Sequence, residues 1–428
     1  MTSTQEIAIT GMGVVSPIGI GAEPFWASLL AGRSGVRLFP WYDRDHDGLL
    51  LPFGGEVADF DAKQYVRPRK SLKVMSRDVQ LAFAAADLAC RDGGLHSGGI
   101  ARERLGVIFG ADLMTCELPE MANAIRVCTV DGRFDSTRWA PAARAELYPL
   151  WLLKYLPNML ACHIGIAQNA HGPNNSLVLG EVSSLAAVME ASRVIARGQA
   201  DVMIVGGASS RIHPAMWTRG RCVPFSHRDD DPAAACRPFD ARRDGLVYGE
   251  GAAAFLLESS AHAAARGATV LARILATASA FEPNPRRQPL EGRAIAASIR
   301  GALAHAQLTP PEIGHVNAHG VGTRHDDQIE AQAIRATLGD VPVTAPKSFF
   351  GNLGAGTGAV EMAASVLALQ TGLVPPTLNY QDPDPACAVN VVHGEPLVAT
   401  RPTALLLNHT PQGQAVAVVL AAADGMRV

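Results

Sequence analysis

The sequence predicts a layered α/β protein in which helices cover a mixed β-sheet. Apolar runs such as DVMIVGG at 201–207 lack polar alternation, as expected of strands buried on both faces. Alanine-rich stretches of helix length alternate with these runs along the chain. At 428 residues, 48% hydrophobic and 18% charged, the chain can build a sizeable core and is too apolar for disorder.

In the first half, apolar runs place strands at 6–15, 104–110, 176–179, 201–207 and 252–257, and alanine-rich stretches place helices at 76–91 and 184–197. The strand at 176–179 passes through a tight Gly180 into the helix at 184–197. In the second half, strands are expected at 269–276, 315–318, 343–345, 404–407 and 415–420. Helices are expected at 291–306, 327–338 and 358–369. The strand at 315–318 ends in Ala-His-Gly, and a loop then leads to a helix opened by Asp326 and Asp327. Each half holds a comparable set, which suggests an internal duplication with halves 1–257 and 258–428. The stretch 112–149 is the least regular, with four arginines, Trp139 and Tyr148. It reads as an insertion that caps the core or meets a partner.

Thirty-seven basic residues against 40 acidic ones give a formal charge of -3, with no overall electrostatic footprint for nucleic acid or an anionic membrane. The seven cysteines (Cys90, Cys116, Cys128, Cys162, Cys222, Cys236 and Cys387) have no CxxC spacing. Neither a disulfide framework nor a metal site is implied, and a reducing, cytoplasmic setting fits them. The first residues do not form a signal peptide, and no 18-residue apolar run suggests a membrane span.

Three segments have the shape of functional sites. In GPNNSLVLGEVSSLAAVMEASRVIARG, Glu181 sits at a strand-to-helix corner, where free N–H groups and the helix dipole favour an anion or an activated nucleophile. The plainer alternative is an acid that satisfies the first helical turn. In HVNAHGVGTRHDDQIEAQAI, His319 follows a buried strand and precedes a glycine, placed as donor or base in a cleft. His315 reads as packed and His325 as surface. In APKSFFGNLGAGTGAVEMAASVLAL, Lys347 and a glycine-rich turn precede a helix and suggest close backbone approach. The order GxxxxGK[ST] is absent, which excludes a nucleoside triphosphate site. Gly11, Gly13 and Gly19 are wrongly spaced for a dinucleotide site, and Pro17 interrupts the expected helix start.

Together with ITGMGVVSPIG, SRDVQLAFAAADLA, PFSHRDDDPAAACRPFDARRDGLVYGEGAAAFLLE and PPTLNY, these blocks resemble the β-ketoacyl-ACP synthases of fatty acid and polyketide synthesis. The resemblance covers nearly the whole chain. It implies a thiolase-like fold, two duplicated halves forming a five-layer αβαβα sandwich, and an obligate dimer. It implies no cofactor of the chain's own, since the substrate arrives on the phosphopantetheine of an acyl carrier protein. Active relatives carry a cysteine nucleophile at the corner and two histidines that decarboxylate malonyl-ACP.

Against that pattern, the cysteine position holds Glu181, the first histidine is His319, and the second is Asn352. The glycine-rich gate and oxyanion loop reads His409-Thr410-Pro411-Gln412-Gly413, where Pro411 has no N–H to give. A lost oxyanion donor costs on the order of 3 kcal/mol of transition-state stabilisation. Asp327, Glu330, Lys347 and Glu361 fall on supporting positions of the family and can equally be read as charges that only hold loops. Cys162 reads as a buried core residue rather than a substitute nucleophile.

Ordinary condensation is therefore not expected. The leading expectation is a non-condensing, chain-length-factor-like subunit that partners an active ketosynthase. The alternatives are a malonyl-ACP decarboxylase or acyl-ACP hydrolase, and a homodimer that binds acyl-ACP or lipid without catalysis.

Overall fold

Ten strands form two sheet halves of identical design in the computed structural model, which describes residues 6–41, 52–95, 100–217, 223–284 and 288–423. The first half contains β1 (Ile7–Ser16), β2 (Leu105–Gly110), β3 (Asn174–Leu177), β4 (Val202–Ser210) and β5 (Glu250–Ser259). The second contains β6 (Ala272–Phe281), β7 (His315–Asn317), β8 (Pro342–Thr344), β9 (Thr403–His409) and β10 (Gln414–Ala422). Their spatial orders, β3-β2-β4-β5-β1 and β8-β7-β9-β10-β6, correspond strand for strand. In both, the pairings farthest from the join between the halves are parallel (β2 with β3 and β4; β7 with β8 and β9) and the rest antiparallel. The halves join where residues 7–9 of β1 pair with 272–274 of β6.

Eight helices matter for the layers and the site: α1 (Arg77–Asp92), α2 (Leu118–Cys128), α3 (Trp139–Glu146), α4 (Met159–Gln168), α5 (Ser183–Ala196), α6 (Arg293–Ala306), α7 (Arg324–Leu338) and α8 (Thr357–Thr371). In α8 every residue from Thr357 to Leu369 is buried, as expected of a helix apolar on all sides in a central layer. It shares one core with α5: Leu185, Val188, Val360 and Met362 pack with Phe255 and Leu257 of β5 and with Leu406 and Val418 of β9 and β10. Outside the first sheet, α1 and α4 bury Leu81, Phe83, Leu160 and Ile164 against Val107, Phe109 and Ile204. Outside the second, α6 and α7 bury Ile295, Ile299 and Ile334 against Val316, Leu405 and Val419. The result is the five-layer helix–sheet–helix–sheet–helix sandwich that the family resemblance implied.

Three expectations shift. The strand expected at 176–179 runs from Asn174 to Leu177, because the chain leaves the sheet at Val178 to prepare the Gly180 turn. The strand expected at 269–276 starts at Ala272 and continues to Phe281, paired with β10 throughout. The stretch 112–149 is more regular than expected: α2 and α3 close on a small core of Ala124, Cys128 and Ala142. Two short helices that each bury one or two residues leave almost no periodicity to read. Among the described residues, no helix is long and apolar enough to cross a membrane.

Candidate active site

Six polar groups of the site sit at or just past the C-terminal end of a strand in a parallel pair, where an α/β sheet opens a crevice. Asp112 follows β2, Glu181 follows β3 and Arg211 follows β4, three neighbours in the first sheet. His319 follows β7, Lys347 follows β8 and His409 ends β9, their counterparts in the second.

Gly180 makes the corner, with φ +63, a left-handed conformation that costs glycine nothing. Residues Gly180–Val182 form one tight turn before α5, and Ser183 Oγ accepts from the Leu179 N–H at 2.8 Å. Glu181 does not wait there as a free anion. Arg211 Nη1 donates to Glu181 Oε1 at 2.5 Å, while Arg211 Nε and Nη2 donate to Asp112 Oδ2 at 3.0 and 2.7 Å. The three side chains are 9–14% exposed, so this is a buried acid–arginine–acid triad. Burial pushes the Glu181 carboxyl up, but the Arg211 charge and hydrogen bond outweigh it and hold it below the usual range. Asp112 is held down in the same way. Glu181 is thus a carboxylate with a committed partner.

Across the cleft, His319 is 2% exposed and is fixed through its backbone and its ring. Glu330 on α7 accepts the N–H groups of His319 and Gly320 at 2.6 and 2.8 Å. Asp327 accepts those of Val321, Gly322 and Phe239 at 2.8–3.0 Å. These two acids therefore hold the loop after β7. Burial has raised the Asp327 carboxyl to about 7, with the backbone bonds and Arg243 opposing the shift. Lys347 pairs with Glu361 on α8, whose carboxyl burial also raises to about 7 against the pull of that lysine.

Asn408 links the two groups. Its Nδ2 donates to Glu361 Oε2 at 2.7 Å and lies 3.2 Å from His319 Nδ1. An amide N–H facing Nδ1 favours the tautomer that carries its proton on Nε2. Only a glycine at 358 permits this approach, since a Cβ there would sit 2.1 Å from Asn408 Oδ1. Burial, then the Lys347 charge, keep His319 well below the ordinary histidine range and neutral.

Asn352 caps the turn that follows it: Oδ1 accepts from Gly354 N–H at 2.9 Å and from Thr357 Oγ1 at 3.3 Å. The segment 409–413 is a tight hairpin end, in which Thr410 N–H donates to Gln414 O at 2.9 Å and Gly413 N–H to Thr410 O at 3.0 Å. Gln412 and Pro411 are exposed at its tip. His409 turns inward: it is 4% exposed, and its ring meets that of His319 edge to face at 4.6 Å between centroids. Its Nε2 has no hydrogen-bond partner and lies 3.8 Å from Glu330 Oε2. Burial lowers its proton affinity, but Glu330 more than reverses this and leaves it above the ordinary value.

Glu181, His319, Asn352, His409 and Pro411 line one cavity with Leu246, Val321 and Asp326. Its volume is about 30 Å³, room for about one or two waters. Among the described residues, no cysteine lines it. Cys162 lies on α4 near Asn158 and is partly exposed rather than buried, because its face of that short helix points away from the sheet-facing Ala161 and Ile164. Cys222 lies outside the described residues. His315 is packed, with no partner on either ring nitrogen, and His325 is exposed, as expected.

Matches to known proteins agree with this architecture. The N-terminal domain of β-ketoacyl synthase matches residues 4–263, and its C-terminal domain matches 271–381. The chain belongs to the β-ketoacyl synthase family. It is 37% identical to a putative polyketide β-ketoacyl synthase 1 of Streptomyces cyaneus, with 91% of each chain covered. Among solved structures it resembles the ishigamide ketosynthase/chain length factor, at TM-score 0.86 and 27% identity, covering 98% of this chain and all of that one. It also resembles a type II polyketide ketosynthase in complex with its acyl carrier protein, at TM-score 0.84 and 27% identity, covering 99% and 100%.

Within this β-ketoacyl synthase frame, sequence reasoning missed Arg211, Asp112 and Asn408, and read His409 only as part of a loop. One signal was available. A carboxylate at a buried corner requires a cation, and Arg211 is the charged residue that directly follows the apolar run VMIVGGASS. Also missed was an exposed basic run, Lys63, Arg67, Arg69, Lys70 and Lys73, concealed within a near-neutral total charge.

Proposed function

We propose that this chain is a non-condensing β-ketoacyl synthase subunit that works beside an active synthase in carrier-bound acyl chemistry. The observation that carries the reading is Glu181 paired with Arg211 where active relatives have cysteine. A carboxylate is a far weaker nucleophile than a thiolate, and an acyl anhydride formed on it would be hydrolysed rather than condensed. The small cavity, the inert Asn352 and the proline of the hairpin point the same way.

The surface supports a partner. β3 is the outer strand of the first sheet, and Val178, Leu179 and Ile166 beside it are exposed, Ile166 by 77%. An unpaired edge flanked by apolar side chains favours pairing with another subunit. Leu113, Leu118, Leu150 and Leu152, in and just after the stretch 112–149 that the sequence reads as capping the core or meeting a partner, are exposed as well. The basic run at 63–73 offers a complementary surface to an acidic carrier protein.

Intact-mass analysis of acetyl- and malonyl-loaded carrier protein tests the proposal. The isolated chain should give no ketoacyl product, and product should form only when an active synthase is added. Condensation by the isolated chain would falsify it. The His319–His409 pair favours a second reading, decarboxylation of malonyl-carrier protein, in which acetyl-carrier accumulates and His319→Ala abolishes it.

A further inference from the structure

We propose that Arg211, held by Asp112, is the residue that closes this site to acyl groups, so that a nucleophile restored at position 181 would still find no room for a chain. This rests on the non-condensing reading above and names what enforces it. Neither Arg211 nor Asp112 lines the cavity: they lie behind Glu181, and the guanidinium spans from one acid to the other with its face 5.4 Å from the Tyr248 ring. Two of its three bonding nitrogens are on Asp112, so losing Glu181 leaves Arg211 anchored. The cavity in front of Glu181 has space for about one or two waters, too little for an acyl chain, and a shorter residue at 181 would bring the anchored guanidinium to its wall. Arginine's planar fork fits this double role, and the buried acids keep it charged.

The test separates reactivity from room. Glu181→Cys places a thiol beside a cation at a helix start, which lowers its proton affinity and makes it reactive. In acyl transfer the thiolate attacks the thioester carbonyl carbon, a C–S bond forms, the donor's C–S bond breaks, and the released thiolate takes a proton from water. Two variants are compared: Glu181→Cys alone, and Glu181→Cys with Arg211→Ala and Asp112→Ala. Removing both charges together avoids an unpaired buried ion. Each is treated with iodoacetamide and with the octanoyl thioester of N-acetylcysteamine, and modification at position 181 is located by peptide mapping.

The single variant should be alkylated yet octanoylated at least tenfold more slowly than the triple variant. Equal octanoylation of the two overturns the proposal, as does a folded triple variant that takes neither reagent. Should the triple variant melt, Arg211→Val with Asp112→Asn in the Glu181→Cys background removes both charges and still shortens the side chain that fills the space. It should exceed the single variant in octanoyl uptake, and no gain overturns the proposal. Turnover of malonyl-carrier protein by the unmodified chain would instead defeat the non-condensing reading, whatever the variants do.

Discussion

At the ends of β2, β3 and β4 the first half carries Asp112, Glu181 and Arg211; at the equivalent ends of β7, β8 and β9 the second carries His319, Lys347 and His409. The first three satisfy one another. The second three are held from outside, by Glu330, Glu361 and Asn408, and His409 keeps one ring nitrogen without a hydrogen-bond partner, 3.8 Å from Glu330. The difference separates two reasons for a polar residue to stand in a family position. Lys347, Glu361, Asp327 and Glu330 secure loops and helices and would be needed in a silent protein. Glu181, Arg211 and Asp112 form a self-contained ion-paired unit.

The largest effect should come from breaking the first cluster on one side. Arg211→Ala leaves two buried carboxylates without their cation and should cost about 3–5 kcal/mol in urea unfolding. A cost below about 1 kcal/mol would mean that solvent reaches the triad, and the contrast between the halves would collapse. A smaller loss is expected from the second cluster. Glu330→Gln replaces one acceptor oxygen by an amide nitrogen, orphaning the N–H of His319 or Gly320 at about 1–3 kcal/mol. If unfolding is unchanged while the His319 ring resonances are also unmoved, Glu330 does not hold the loop.

The smallest effect concerns pH. His409 is held above its ordinary value by Glu330, so its contribution is complete below about pH 6.5 and is lost as pH rises through the raised value. His409→Gln should therefore reduce stability in mildly acid solution and converge with the parent in alkaline solution. A constant difference across that range would show that the ring contributes packing alone.

Much of this fold was legible in the sequence, because strands such as Val202–Ser210 and helices such as Thr357–Thr371 are apolar without interruption and their type follows from burial. The helices at 118–128 and 139–146 were not legible, since few of their residues face a core. At the site, Glu181 and His319 could be placed by their corners and Asn352 by the family resemblance, and the structure brings all three to one cavity. Arg211 and Asp112 were hidden for a topological reason. They are 99 residues apart, and only the β3-β2-β4 order sets their strand ends beside Glu181. His409 was hidden by its motif, since a hairpin residue turns inward or outward according to register, which the alternation along β9, buried throughout, does not reveal.

The most direct test of the central claim is native mass spectrometry of this chain co-produced with an active β-ketoacyl synthase, followed by a condensation assay on the same sample. The account predicts a one-to-one heterodimer whose condensing activity survives Glu181→Gln in this chain. A homodimer that condenses acetyl and malonyl groups by itself would contradict it.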